Sequence, residues 1–356
     1  MNRRGLITGA AAAAALPRRP SAQCILYPNP TTIPTFCGDV PLGPAPSLDL
    51  PLTGPTLDPR ITFTRASTAT YFDATGTLQT AAANTPRFDY DPVAHAPRGL
   101  LIEEARTNLL LNSAVLSTQS VTTTAVATTL SFYGTGTITK SGTATGALVG
   151  AGAFPARATQ TFTPTAGTLT LTVSGSVLDA QLEAGSSTSY IPTAGAAATR
   201  AADVATMPTA AWFNAAQGTL VAEGVLPFAN ATRTSYWANL SDGTTANTIS
   251  LYVSATAQNV AALTVASSLN GSNGIAAPLG TVNKSAIAYT AGANLNAFNG
   301  ASDPSGTLGA SAVPSGIARL DFGNRPDAAR ALDGWVRRVS YWSRTLSNAE
   351  LQQVTT

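Results

Sequence analysis

The sequence predicts an all-β protein in which antiparallel sandwiches follow one another behind an extended N-terminal arm. From residue 47 onward, short runs alternate apolar residues with Thr or Ser, as half-buried antiparallel strands do. Gly, Asn, Asp and Pro interrupt these runs at close intervals, which is typical of turns between strands. The chain has 356 residues and exceeds one ordinary domain, so we expect two or three modules.

Composition excludes some classes of partner. Hydrophobic residues make up 44% of the chain, which argues against disorder even though only 11% of residues are charged. The formal net charge is +2 and no basic cluster follows the first 20 residues. We therefore expect no nucleic-acid partner. We also expect no membrane span, because the one N-terminal apolar run is shorter than the ~20 residues that a bilayer requires.

Residues 1–46 are predicted to be an arm or a leader. Residues 2–8 open like a twin-arginine export signal, and an alanine-rich run follows. A leader cleaved after about residue 22 and an uncleaved arm that joins a larger assembly both fit this pattern. Cys24 and Cys37 either pair in an oxidising compartment or remain thiols, and their spacing does not suggest a metal site.

Residues 47–106 are predicted to form the first β module. Residues 69–72 and 77–80 alternate around a turn at 73–76, which predicts a hairpin. The segments 63–71, 86–91 and 99–110 together resemble the signature block of bacteriophage and gene-transfer-agent head-spike or tail-fibre proteins.

This resemblance covers about residues 47–113 and implies a virion structural protein. It implies docking to other virion proteins through the N-terminal region, and display of β modules toward the host envelope. Fibres of this kind usually trimerise, so it also implies a homotrimer.

Residues 107–206 are predicted to form a small β-sandwich. Residues 108–113 resemble the entry strand of carbohydrate-binding-module sandwiches, and residues 178–185 resemble the exit strand. We therefore interpret residues 100–111 as strand, although their periodicity also fits a helix. The alanine-rich residues 196–203 are interpreted as a hinge.

Residues 207–356 are predicted to form the last sandwich. Val336 and Val339 are three apart in an aromatic strand, which predicts a β-bulge. Ser347 and Glu350 have the spacing of a capping box before a short helix. This ending and the runs before it resemble laminin-G-like, concanavalin A-like jelly rolls. Such domains mostly bind sugars or proteins and seldom catalyse.

The sequence predicts no enzyme. His95 is the only histidine, and a surface loop between prolines explains it better than a catalytic triad does. Glu103 and Glu104 are neighbours on a predicted strand and point to opposite faces, so they cannot flank one glycosidic bond. An ion pair with Arg106 or Arg65 is the simpler role. Carboxylates assembled from different strands remain the alternative.

A carbohydrate site requires aromatic faces beside amide and carboxylate groups on a fixed β surface. Tyr236 and Trp237 are neighbours on a predicted strand, so only one of them can face the core. The alternative to a carbohydrate site is that Trp237 and Tyr252 fill the interior of the sandwich. We expect Trp335, Tyr341 and Trp342 in the core. Asp242 could also ligate calcium with backbone carbonyls, although no aspartates cluster around it. The candidate carbohydrate-binding residues are Tyr236, Trp237, Asn239, Asp242 and Tyr252.

The expected function is that of a phage head spike or tail fibre that binds a host-surface polysaccharide without cleaving it. One alternative is an exported bacterial surface lectin, with residues 1–22 as its leader. A second alternative is a spike that depolymerises glycan.

Overall fold

The computed structural model describes residues 45–228, 230, 233–271, 274–302 and 312–356. The predictions for residues 1–44, including the export signal and the pairing of Cys24 with Cys37, lie outside the described residues. No helix in the described ranges is long and apolar enough to cross a membrane.

The regular secondary structure of the described residues is almost entirely strand. The strands of the first segment are β1 (Leu48–Pro51), β2 (Thr62–Thr64), β3 (Ala69–Phe72), β4 (Leu78–Ala81), β5 (Phe88–Tyr90), β6 (Pro97–Ile102) and β7 (Arg106–Asn108). Those of the middle segment are β8 (Gln119–Thr123), β9 (Thr128–Gly134), β10 (Thr137–Gly142), β11 (Gly146–Val149), β12 (Gly152–Phe162), β13 (Gly167–Ser174) and β14 (Leu178–Ala184).

The last segment adds twelve further strands and one helix to the described fold. They are β15 (Ala198–Arg200), β16 (Val204–Pro208), β17 (Gln217–Val225), β18 (Ser235–Ser241), β19 (Thr248–Val253), β20 (Asn259–Val265), β21 (Ser268–Gly271), β22 (Val282–Thr290), β23 (Ala293–Phe298), β24 (Ala301–Ser302), β25 (Arg319–Phe322), β26 (Gly334–Trp342) and α1 (Asn348–Thr355).

The larger sandwich packs two antiparallel sheets around one apolar core. One sheet has the order β24-β23-β22-β17-β26-β6-β5, with β1 also paired to β26, and the other has the order β2-β16-β25-β18-β19-β20-β21. Inward side chains of both sheets, among them Leu50, Ile102, Trp237 and Tyr341, fill the space between them. The prediction of an all-β protein with antiparallel sandwiches is confirmed.

The first segment completes this larger sandwich. Strands β1 and β6 both pair with β26, so that Leu50 lies opposite Val339 and Leu100 opposite Val336. Strand β2 pairs with β16, and β5 pairs with β6. The segment 47–106 therefore contributes four strands to sheets that the C-terminal residues otherwise form. Pairing does not show which segments fold alone, so the module boundaries at 46, 106 and 206 stay predictions.

The smaller sandwich consists of strands that follow one another in the chain, β8 to β14. Its sheets have the orders β11-β10-β13-β8 and β12-β9-β14, and they enclose a second core that includes Leu130, Phe132 and Leu182. Strand β7 pairs with β15, which places Ala198 opposite Asn108 and joins the two ends of this segment. Of residues 100–111, which the sequence interprets as strand, residues 100–102 lie in β6 and 106–108 in β7, and none is helical. Residues 103–105 and 109–111 belong to neither strand, so the interpretation is confirmed only for those six residues. The β3–β4 hairpin is also confirmed.

The C-terminal strand and helix match their sequence signals. The register of β26 against β17 shifts between Glu223 and Gly224, which leaves Arg337 as the extra residue of a bulge. The bulge lets both Val336 and Val339 point into the core, as their spacing predicts. Helix α1 begins with the predicted capping box between Ser347 and Glu350.

Candidate functional site

A network of buried ion pairs joins the first segment to the residues around β15. Asp203 accepts from Arg65 Nη1 at 3.0 Å and from Arg87 Nη2 at 2.5 Å. Glu103 Oε2 lies 2.8 Å from Arg87 Nη2 and 3.0 Å from Arg200 Nη1. All three arginines are at most 1% exposed. Residues 196–203 are therefore not the hinge that the sequence predicts, because Arg200 and Asp203 are fixed in this network.

The two adjacent glutamates have separate structural roles. Glu104 pairs with Arg106, as the sequence suggests, and also with Arg233. Glu103 is buried, which by itself raises its pKa, but the charges of Arg200 and Arg87 together with hydrogen bonds from Ser189 more than offset burial. The pKa of Glu103 is therefore lowered to about 2. Hydrogen bonds from Ser189 N at 2.7 Å and Ser189 Oγ at 2.6 Å also favour its ionised form.

A cleft of about 420 Å³ lies beside this network, and we call it the junction cleft. The β3–β4 hairpin contributes Tyr71 and Phe72, the smaller sandwich contributes Tyr133 and Arg157, and β26 contributes Trp335. The cleft therefore has walls from three parts of the fold. Trp335, which the sequence assigns to the core, is only half-buried here.

Aromatic rings form much of the cleft wall. Phe154 packs on two lining rings, at 5.0 Å between ring centroids from Tyr133 and 5.9 Å from Phe72. The register of β12 against β9 is interrupted between Gly152 and Arg157, so the residues between them leave the ladder. This interruption allows the Phe154 ring to lie against the hairpin instead of within the sheet.

The polar groups of the cleft are held in place. Arg157 donates from Nη1 to Thr188 O at 2.6 Å and from Nη2 to Ser131 Oγ at 2.8 Å. The guanidinium of Arg98 lies 4.8 Å from the Trp335 ring centre, a cation–π contact. These contacts fix the donors before any ligand arrives.

Three carboxylates from different strands and loops also line the cleft, and each accepts hydrogen bonds on both oxygens. Asp89 accepts from Phe72 N at 2.7 Å and from Trp335 Nε1 at 2.9 Å, while burial raises its pKa. Asp333 accepts from Glu104 N at 2.9 Å and pairs with Arg233. Burial and the nearby Glu104 charge raise the pKa of Asp333 to about 7. Glu103 is the third carboxylate.

The structure divides the five predicted carbohydrate-binding residues between the interior and the surface. Trp237 is 1% exposed and donates from Nε1 to Asn259 Oδ1 at 3.0 Å. Asn239 is fully buried and hydrogen-bonds Asp321 and Ser250. Neither residue is accessible to a ligand at the surface, so Trp237 follows the alternative interpretation of a core residue.

The other three lie outside the core. Tyr236 and Tyr252 are half-buried and stack with ring centroids 5.1 Å apart. Tyr252 is therefore not an interior residue. Asp242 closes a turn, where it accepts from Thr244 N at 2.7 Å and from Asn247 Nδ2 at 2.9 Å. Carbohydrate binding at these surface residues stays a prediction.

Two further predictions concern calcium binding at Asp242 and the position of His95. The described ranges contain no group of three or more His, Cys, Asp or Glu residues that could hold a metal ion. Calcium binding at Asp242 therefore has no such cluster to support it. His95 is exposed in its loop, where its backbone N–H donates to the Asp91 carbonyl oxygen at 2.9 Å, so the surface-loop interpretation is confirmed.

The junction cleft is the feature that sequence reasoning missed. Its lining residues come from segments far apart in the chain, and no local pattern connects them. The one available signal was the predicted spike-type block at residues 47–113, which includes Tyr71, Phe72, Asp89 and Arg98.

Comparison with known proteins shows a distant structural likeness. The chain matches no protein-family model and no curated protein sequence. It is similar to the CBM40 of the Ruminococcus gnavus IT-sialidase bound to alpha2,3 sialyllactose, at 16% identity and a TM-score of 0.34 over 40% of this chain and 84% of that one. It is also similar to Trypanosoma rangeli sialidase in complex with the inhibitor DANA, at 16% identity and a TM-score of 0.34 over 43% of this chain and 26% of that one.

A heptameric SAP-like pentraxin from Limulus polyphemus matches at 18% identity and a TM-score of 0.30, over 39% of this chain and 70% of that one. Parts of the chain thus resemble known β-sandwich folds. At these identities and TM-scores the likeness supports no conclusion about function. The resemblance to spike and fibre proteins stays a prediction from the sequence.

Proposed function

We propose that this chain is a virion structural protein of the head-spike or tail-fibre type that binds host-surface glycan without cleaving it. The observation that supports glycan binding is the junction cleft, where aromatic faces meet a few fixed polar groups on rigid sheets. The virion assignment comes from the spike-type block at residues 47–113.

The cleft suits a sugar for two physical reasons. The half-buried Tyr71 and Trp335 rings offer apolar area to the C–H face of a pyranose ring. Arg157 offers donors that are already oriented by Thr188 and Ser131, so little conformational entropy is lost when a ligand binds.

Binding of glycan by the cleft is tested with a glycan array and the full chain. We expect Tyr71→Ala to weaken binding to the recognised glycan about 10-fold, or about 1.4 kcal/mol, because it removes one lining ring. Val149→Ala is the matched control, since Val149 is exposed on β11 and does not line the cleft. Equal binding by both variants and the native chain would argue against the cleft as the site.

One observation favours the alternative of a glycan-depolymerising spike. Three carboxylates line one cleft, and the pKa of Asp333 is raised to about 7, near the range of a general acid. We nevertheless propose binding without cleavage, because Asp89, Glu103 and Asp333 are all buried and use both oxygens in structural hydrogen bonds. Incubation of the full chain with host capsule or lipopolysaccharide decides this. Released oligosaccharides would show an enzyme, and retention without product would support a binding protein.

The virion assignment competes with an exported surface lectin. We propose that the chain is found in purified particles, joined to other virion proteins by its N-terminal region, and that it forms a homotrimer. Mass spectrometry and N-terminal sequencing of purified particles test this. A virion protein should retain its first residues, whereas the exported lectin should begin near Gln23. Light scattering should give three times the 36.1 kDa chain mass.

A further inference from the structure

A second hollow lies on the outer face of β18 and β19, and its volume is about 370 Å³. Tyr236 and Tyr252 form its floor, with ring planes 30° apart. Arg325 and Arg330 lie at its edge, and we call these four residues the tyrosine patch. The patch hollow and the junction cleft share no lining residue.

The charged side chains that line the hollow are of one sign. Three described lining residues are arginines and none is acidic. Two of the arginines have carboxylate partners outside the hollow. Arg233 lies 2.9 Å from Glu104, and Arg325 binds Asp327 through Nε at 2.9 Å and Nη2 at 2.5 Å.

Arg330 is different from these two. Its backbone N–H donates to Asn324 Oδ1 at 3.3 Å, but its guanidinium makes no ion pair or side-chain hydrogen bond with the described residues. It is half-buried and near Tyr236. Burial raises the pKa of Tyr236, and the charge of Asp327 acts in the same direction. The charges of Arg325 and Arg330 act in the opposite direction. A half-buried guanidinium without a carboxylate beside an aromatic floor is a favourable position for an anion.

We infer that the tyrosine patch binds an acidic sugar residue, with its carboxylate or sulfate on Arg330 and its ring on the tyrosine pair. The inference rests on the proposed glycan-binding function and adds a second site and a substrate class. The guanidinium offers two parallel N–H donors to such a group. The half-buried Thr264 side chain lines the same hollow and supplies a hydroxyl for another sugar oxygen.

The test uses the full chain and an array of uronate-bearing, sialylated and sulfated oligosaccharides beside their uncharged parents. We expect the native chain to prefer the acidic members. Arg330→Gln should weaken their binding about 10-fold and leave the uncharged parents unchanged. Arg60→Gln is the control, because it removes the same charge from an exposed arginine that pairs with Asp58 far along the chain from the patch.

Salt provides a second measurement. Raising NaCl from about 0.05 to about 0.5 M should weaken acidic-glycan binding by the native chain and have little effect on the Arg330→Gln variant. The carboxylated and sulfated members of the array show which anion is preferred.

Two outcomes would overturn this inference and spare the proposed function. One is equal binding of acidic and uncharged glycans, and the other is an Arg330→Gln variant that behaves like Arg60→Gln. Failure of every glycan on the array would refute the proposed function as well. Loss of acidic binding in Arg330→Gln, with Tyr71→Ala weakening the uncharged glycans and sparing the acidic preference, would establish two separate sites.

Discussion

At the residue scale, the buried arginines are the feature that most distinguishes this chain. Arg65, Arg87 and Arg200 share only two carboxylates, Glu103 and Asp203, in the interior. Burying such groups contributes little net stability, because desolvation opposes the attraction between the charges. Removing one partner is a different matter, since it leaves a charge buried without compensation.

Glu103→Gln should therefore destabilise the fold strongly. The amide keeps the shape of the side chain but leaves Arg87 and Arg200 without their shared anion, and we expect a loss of about 3 kcal/mol in the free energy of unfolding. Urea denaturation measures it. Asp58→Asn breaks the exposed pair with Arg60 and should cost less than about 1 kcal/mol. Equal losses in the two variants would refute a special role for burial.

Comparison of the native chain with Glu103→Gln at different pH values also tests the pKa of Glu103. Its folded pKa of about 2 lies below the ordinary value of 4.5, so its ionised form stabilises the fold above about pH 4.5. This stabilisation is lost as pH falls through about 2. The stability difference between the native chain and Glu103→Gln should therefore be constant above pH 4.5 and shrink below it. A difference that does not change with pH would contradict the lowered pKa.

At the element scale, sequence patterns predicted the features that depend on neighbouring residues, such as the hairpin and the bulge. Alternation located the β3–β4 hairpin. The spacing of Val336 and Val339 located the bulge. The stacked Tyr236 and Tyr252 were predicted as site candidates from side-chain type alone, and only the structure placed both outside the core.

What the sequence could not predict depends on distant partners. The alanine-rich sequence around Arg200 is typical of a linker, because no neighbouring residue in the sequence indicates that Arg200 forms an ion pair with Glu103. The junction cleft has the same origin, since Tyr71 and Trp335 meet only after the sheets have paired. Neither feature has a periodicity that a sequence pattern would reveal.

The capping box gives the prediction at this scale. Ser347→Ala should destabilise the fold by about 1 kcal/mol, because Ser347 Oγ accepts from Glu350 N at the start of α1. Leu351 of α1 packs with Trp342 in a third apolar cluster, so fraying of the helix start should be felt in the sheet beneath. Thermal unfolding measures it. Gln353→Ala, an exposed change on the same helix, is the control and should alter stability by less than about 0.5 kcal/mol.

At the scale of the whole molecule, the larger sandwich closes through strands from opposite ends of the chain. Strand β26 has β17 on one side and both β1 and β6 on the other. The first segment also supplies apolar side chains to the core. Those that are at most 3% exposed are Leu48, Leu50, Leu52, Leu100 and Ile102.

A fragment of residues 201–356, which retains β16 whole, should therefore fail to fold by itself. It loses five buried aliphatic side chains at about 2 kcal/mol each, a sum comparable to the ~5–15 kcal/mol stability of a typical domain. It also exposes the edge of β26 that β1 and β6 cover. A fragment of residues 45–356 retains these strands and should give dispersed amide NMR signals and a cooperative urea transition. If residues 201–356 gave the same amide dispersion and the same urea midpoint, strands β1, β2, β5 and β6 would not be required for folding. The boundary at residue 206 would then mark an independent module.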